Sequence, residues 1–332
     1  MCHDQPEEAS LTEEQIVRKW TDLEYRLSAE KKRIQNTSYY GDGFPNVFTN
    51  FGPGCLAACV GGDFIPAEHT VWFDRTPIIK DWTNPLEIRL DMQAYMWHLI
   101  DNFTKMLLKD SNGEYITSVT DIGGNLDIIA SLRGTEALLY DLYDYPEEVA
   151  AIQKTLQSIW TKAFHYYCDL LLQHQDGMTS WMPIWCQERY FPLQSDFSAM
   201  ISPDMFEEWT LPELRVQTEN MEHSVYHLDG PGQIPHLDML LSLPRLDAIQ
   251  WVPGSGRNGV LHEEWYEMYE KIQAAGKGLV LMAYGADGME EFLRTVQKTK
   301  GLHTKGLYIY CQTQDGKQAQ ELVRLAETVG VK

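Results

Sequence analysis

From about Tyr115 onward the chain alternates short β-rich runs with longer amphipathic segments, and this pattern restricts its possible folds more than any other feature. The runs are Tyr115 to Thr120, Met178 to Ile184, Ser224 to Leu228, Ala248 to Val252, Leu279 to Ala283 and Leu307 to Tyr310. Helical stretches, among them Pro146 to Gln173 and Pro203 to Met221, stand between them. A strand, helix, strand order predicts parallel β-structure, because each crossover returns the chain to the same end of the sheet. Such a series either closes into a (β/α)8 barrel or opens as a doubly wound sheet. No Pro/Ser-rich linker marks a second domain, so the expectation is an α/β fold: a single (β/α)8 TIM barrel over residues 1–332. Residues 91–332 form its core and 1–90 an N-terminal helix and loop-rich extension.

The extension has its own signals. Thr12-Glu13-Glu14-Gln15 has the form of a capping box and leads into apolar residues at helical intervals from Ile16 to Ile34. Residues 36–90 instead carry Gly41, Gly43, Gly52, Gly54, Gly61 and Gly62 among aromatics and prolines, which predicts loops of the kind that cover a site.

The composition, 44% apolar and 23% charged over 332 residues, supplies a large core without low-complexity tracts. A net charge of −21 argues against nucleic-acid partners, which require clustered Lys and Arg. No apolar run approaches the ~20 residues needed to span a bilayer, so no membrane partner is expected. Six scattered cysteines without a signal-like start point to a reduced, cytoplasmic setting. Homodimerisation is left open.

The most informative local feature is His227-Leu228-Asp229, followed at once by Gly230-Pro231-Gly232. On a strand, alternation sets His227 and Asp229 on one face, and the turn leaves both at its carboxyl end, where α/β barrels keep their chemistry. Cys311, ending the last run, is the expected third ligand, and His, carboxylate and thiolate suit zinc with one position open for substrate. The same residues also fit a second reading, with His227 hydrogen bonded at a strand end, Asp229 closing a turn and Cys311 an ordinary buried thiol.

Asp121, Asp196 and Tyr284 are candidate catalytic groups near strand ends, as carboxylates for proton transfer or orientation and a phenol beside them. Trp181, Trp185, Tyr190 and Trp251 could line a flat substrate pocket, although aromatics at such positions more often belong to the core. Gly254 and Gly256, in Gly254-Ser-Gly256-Arg-Asn-Gly259, match a dinucleotide fingerprint. They come too late in the chain to build a nucleotide crevice and are expected to turn a loop around substrate instead. Cys55 and Cys59, four apart with no partner pair, read as structural.

Three stretches carry a resemblance: the nineteen-residue run from Asp196 to Leu214, the segment Tyr226 to Pro253, and the ending GLYIYCQTQDGKQAQELVRLAE. Together with LYDLYDYPEEV at 139–149 they resemble the uroporphyrinogen decarboxylase superfamily, whose fold is a single (β/α)8 barrel. That family holds tetrapyrrole decarboxylases and corrinoid-linked zinc methyltransferases. The Arg-Gln-Ala-Gly-Arg segment with which decarboxylases grip carboxylates has no counterpart here. The zinc-ligand pattern of the methyltransferases, His-x-Cys plus a late Cys, maps onto His227, Asp229 and Cys311, with Asp229 standing where that pattern has cysteine. The resemblance thus implies a zinc-dependent methyltransferase moving a methyl group between a small molecule and a cobalamin held by a corrinoid protein. A tetrapyrrole decarboxylase, or a small-molecule-binding barrel without that chemistry, is the alternative. An aspartate ligand makes the zinc a harder Lewis acid, better matched to an oxygen substrate.

Overall fold

A computed structural model describes residues 11–83, 87–299 and 301–331; Cys2 lies outside them. Nine strands are present among the described residues: β1 Asn46–Val47, β2 Ile65–Pro66, β3 Val71–Trp72, β4 Ile116–Thr117, β5 Tyr190–Leu193, β6 His223–Asp229, β7 Ala248–Val252, β8 Gly278–Ala283 and β9 Leu307–Cys311. β5 to β9 form one five-stranded sheet in sequence order, every pair parallel. β1 pairs in parallel with β4, and β2 with β3 as a hairpin. The parallel sheet and its intervening helices are as the alternation predicts. Among the described residues the ladders do not include a closed ring of eight strands.

The run Met178 to Ile184 is where the expected strand pattern departs from the structure. Met178 pairs antiparallel with Cys186, so the segment folds back on itself. The hydroxyls of Thr179 and Ser180 both donate to the Met182 carbonyl, and Pro183 has no N–H to offer a ladder. Side chains that bond the backbone locally compete with sheet pairing. The strand in this region is β5, further along the chain.

The sheet buries both faces. Tyr226, Leu228, Ile249, Trp251, Leu279, Leu281 and Leu307 point into the main helix-covered core. Val225, Ala248 and Val280 point the other way into a smaller cluster with Tyr190 and Met182. That is why these strands read as nearly continuous apolar runs rather than clean alternations.

The N-terminal capping box forms as its sequence predicts, Thr12 and Gln15 exchanging side-chain and backbone bonds. The expected single helix divides at Asp22 into Glu13–Thr21 and Leu23–Gln35. The first of these fastens the turn of the β2–β3 hairpin, since Trp20 donates to the Ala67 carbonyl at 2.7 Å and Lys19 to Glu68 at 2.6 Å. Within the helical run that opens at Pro203, residues Phe206–Thr210 widen into a π turn. Pro212 accounts for it, because it cannot donate to the carbonyl four residues back and its ring crowds that position.

Trp251 is fully buried and packs against Trp265 at 5.0 Å between ring centroids. Trp251→Ala is expected to destabilise the fold by about 3–5 kcal/mol, measured by denaturant unfolding as a lower midpoint with unchanged slope.

Candidate metal-binding site

β6 sets the geometry. Val225, His227 and Asp229 share one face of the strand while Tyr226 and Leu228 anchor the other in the main core. Gly230 ends the strand at φ 80°, a left-handed conformation that glycine adopts without strain, and the chain turns away through Pro231–His236. His227 and Asp229 therefore stand at the carboxyl end of the sheet.

Asp196 reaches the same place from the turn that follows β5, Asp196–Met200. The backbone N–H groups of Asp196 and Phe197 donate to the Asp127 carboxylate at 3.2 and 2.8 Å, which fixes the start of that turn. The exit turn of β6 grips it from the other side. Gln233 donates to the Ser195 carbonyl at 3.1 Å, and His236 Nε2 donates to Ser198 at 2.9 Å.

One ligand atom each from Asp196, His227 and Asp229 lie within 4.8 Å of one another. A tetrahedral cation with bonds of ~2.1 Å holds its ligands about 3.4 Å apart, so small side-chain rotations would close this group around one. The electrostatics suit a cation as well. Loss of water raises the Asp196 pKa, and the neighbouring Asp229 charge raises it further against the opposing pull of His227. Two carboxylates held face to face repel, and a divalent ion between them removes that cost.

His227 Nδ1 bonds the Gln250 side-chain oxygen. An amide oxygen only accepts, so Nδ1 carries the proton and Nε2 keeps its lone pair for a metal. Gln250 is buried and sits directly across from His227 in the β6–β7 register. The Trp181 ring meets the imidazole edge-on at 4.8 Å.

Cys311 is not part of the group. It pairs in register with Ala283 on the side of Leu307 and Ile309, packs against the main core, and its thiol donates to the Gly285 carbonyl at 3.3 Å. The expectation placed it correctly at a strand end, but strand parity turns it to the opposite face from His227 and Asp229. Asp196 takes the place it was given. The aromatic candidates divide in the same way. Trp181 adjoins His227, Tyr190 lies buried in the small cluster, Trp251 belongs to the opposite core, and Trp185 is exposed with its indole bonded to the Asp176 carbonyl. Tyr284 is 77% exposed. Gly254 and Gly256 turn the loop after β7 at positive φ, with open space where a Cβ would stand.

Asp121 is buried near the site but outside the trio. It accepts from the Gly123 N–H at 2.8 Å and from Gln194, and burial pushes its pKa up to about 6. Gln194 and Asp196 also line a cavity of about 290 Å³ whose other wall comes from Pro53, Gly54 and residues 70–74 of the extension. A larger cavity of about 790 Å³ opens at the other end of the sheet, around Lys277 and Gly278 at the start of β8 and Lys305 and Gly306 before β9. Of the metal-capable trio, Asp196 lines the smaller one. Sequence reasoning missed Gln250, Asp127 and Gln194; the one available signal was a lone amide inside the apolar run Ala248 to Val252.

Glu213 is buried beneath the site, where it accepts from the Asn125 N–H, Gln153 and Gln217, and burial raises its pKa to about 7. A carboxyl whose folded pKa lies above its unfolded value favours folding when protonated. Its contribution is therefore present at low pH and is lost as pH rises through about 7. Unfolding measured at pH 4.5, 6 and 8 is expected to show wild type losing stability relative to Glu213→Gln as pH increases.

No protein-family model matches this chain, and no curated protein sequence matches it. Among solved structures it is similar to a methyltransferase from Methanosarcina mazei, with a TM-score of 0.55 and 10% sequence identity over 86% of this chain and 80% of that one. At that identity the likeness is one of fold, and the chain has a methyltransferase-like α/β fold.

Proposed function

We propose that this protein is a zinc-dependent methyltransferase that moves a methyl group between a small molecule and a corrinoid carried by a partner protein, on a (β/α)8 barrel. The observation that carries the reading is the convergence of Asp196, His227 and Asp229 at the carboxyl ends of parallel strands, beside a cavity. The methyltransferase-like fold and the sequence resemblance support it. A nitrogen and two carboxylate oxygens fit zinc and leave a position open. Bound there, the ion supplies Lewis acidity to the heteroatom of a methyl donor or acceptor.

The protein's own groups do the rest. Gln250 holds His227 in the tautomer that presents Nε2. Asp127 and the exit turn of β6 keep Asp196 in position. Asp121, with its pKa near 6, can hold a proton close to neutral pH, and Gln194 connects it to the cavity wall. A tetrapyrrole rich in carboxylates would meet Asp74, Asp127 and Asp196 with no Lys or Arg in that wall, among the described residues, which disfavours the decarboxylase alternative.

Protein purified without chelator is expected to contain one zinc per chain by elemental analysis. His227→Ala and Asp229→Ala should abolish calorimetric zinc binding, Gln250→Leu should weaken it by about 10- to 100-fold, and Cys311→Ser should leave it unchanged. Zinc-loaded protein mixed with a methylated corrinoid and a thiol should change the cobalt absorbance. No metal and no absorbance change in the wild type would overturn the proposal.

A further inference from the structure

The cavity beside Asp196 has a wall chemistry that the metal does not explain. Three aromatic residues, Trp72, Phe73 and Phe197, line it together with three acidic residues, Asp74, Asp127 and Asp196; Trp72 offers an exposed ring, and Phe73 and Phe197 are buried behind it. No Lys, Arg or His is among the described residues that line it. Trp72 is 55% exposed, so its ring is open to a ligand at the cavity mouth. It lies on the β2–β3 hairpin, whose turn is fastened by Trp20 and Lys19, so the ring is carried by an anchored element.

We propose that this cavity binds a small methylated ammonium ion. The faces of aromatic rings attract cations through their quadrupole, tryptophan most strongly, and such rings recognise quaternary ammonium groups that cannot donate hydrogen bonds. The exposed Asp74 carboxylate supplies opposite charge, and the net charge of −21 draws cations toward the protein at long range. A volume of about 290 Å³ lies at the small end of ligand pockets and suits a compact ion rather than a cofactor. Asp196 belongs to both the cavity wall and the metal group, so a bound ammonium would present its methyl groups beside the proposed zinc. As a methyl donor it would pass one methyl group to the cobalt(I) of the corrinoid and leave as the neutral tertiary amine; that role rests on the methyltransferase reading, whereas its binding does not.

The test is calorimetry on the full chain with choline, and with 3,3-dimethylbutan-1-ol, the uncharged molecule of the same shape, at constant ionic strength. Choline is expected to bind at least about tenfold more tightly than the neutral analogue, and Trp72→Leu to weaken it roughly 3- to 30-fold. Asp74→Asn should weaken choline and leave the neutral analogue unchanged. Both substitutions are at exposed positions, and unfolding curves check that each variant is folded. Equal binding of the two probes, or choline binding indifferent to Trp72→Leu in a folded variant, would overturn the proposal. Choline binding without any corrinoid reaction would sink the methyltransferase reading and leave the cation site standing. A corrinoid reaction that proceeds while choline neither binds nor inhibits would do the reverse.

Discussion

The parallel register between β6 and β7 is the constraint on which the candidate site depends. It places Gln250 directly across from His227 on the face of the sheet that also carries Val225, Ala248 and Val280. A slip of one residue would turn His227 into the helix-covered core and bring Tyr226 or Leu228 to the site. Burial of large side chains on both faces prevents that slip. The polar pair survives inside the sheet because each partner satisfies the other, and the same bond selects the imidazole tautomer.

Around that pair, acidic groups are crowded at the carboxyl end of the sheet and in the layer below it. Asp121, Asp127, Asp196 and Glu213 all have raised pKa values, burial being the first cause in each. They are not idle. Asp127 holds the turn that bears Asp196, and Glu213 accepts the N–H that opens the helix bearing Asp127. The site is thus supported by a relay of carboxylates on backbone amides, and the strain of like charges is concentrated where a cation would relieve it.

Much of this was legible in the chain. The alternation from Tyr115 predicts parallel strands, and β6, β7, β8 and β9 appear within a residue or two of their expected limits. The His-x-Asp spacing put two side chains of the trio on one face. The sequence marks Asp196 as a catalytic candidate and Cys311 as the ligand. Local pattern could not tell them apart, since both follow a strand. The Met178 to Ile184 run reads as a strand by its β-rich composition, but its hydroxyls bond their own backbone and fold it back.

Sequence by itself determined the period of each element, the residues able to bind a metal, and the end of the sheet at which they lie, because these follow from local side-chain chemistry and alternation. The tertiary structure decided which of those residues meet. Asp196 joins His227 and Asp229 through a turn clamped by Asp127, Gln233 and His236, contacts separated by tens of residues in the chain. Cys311, one position out of phase, is turned to the opposite face. The wall of Trp72 and Phe73 comes from an extension that carries no strand–helix signal, and only long-range packing brings it to the cavity.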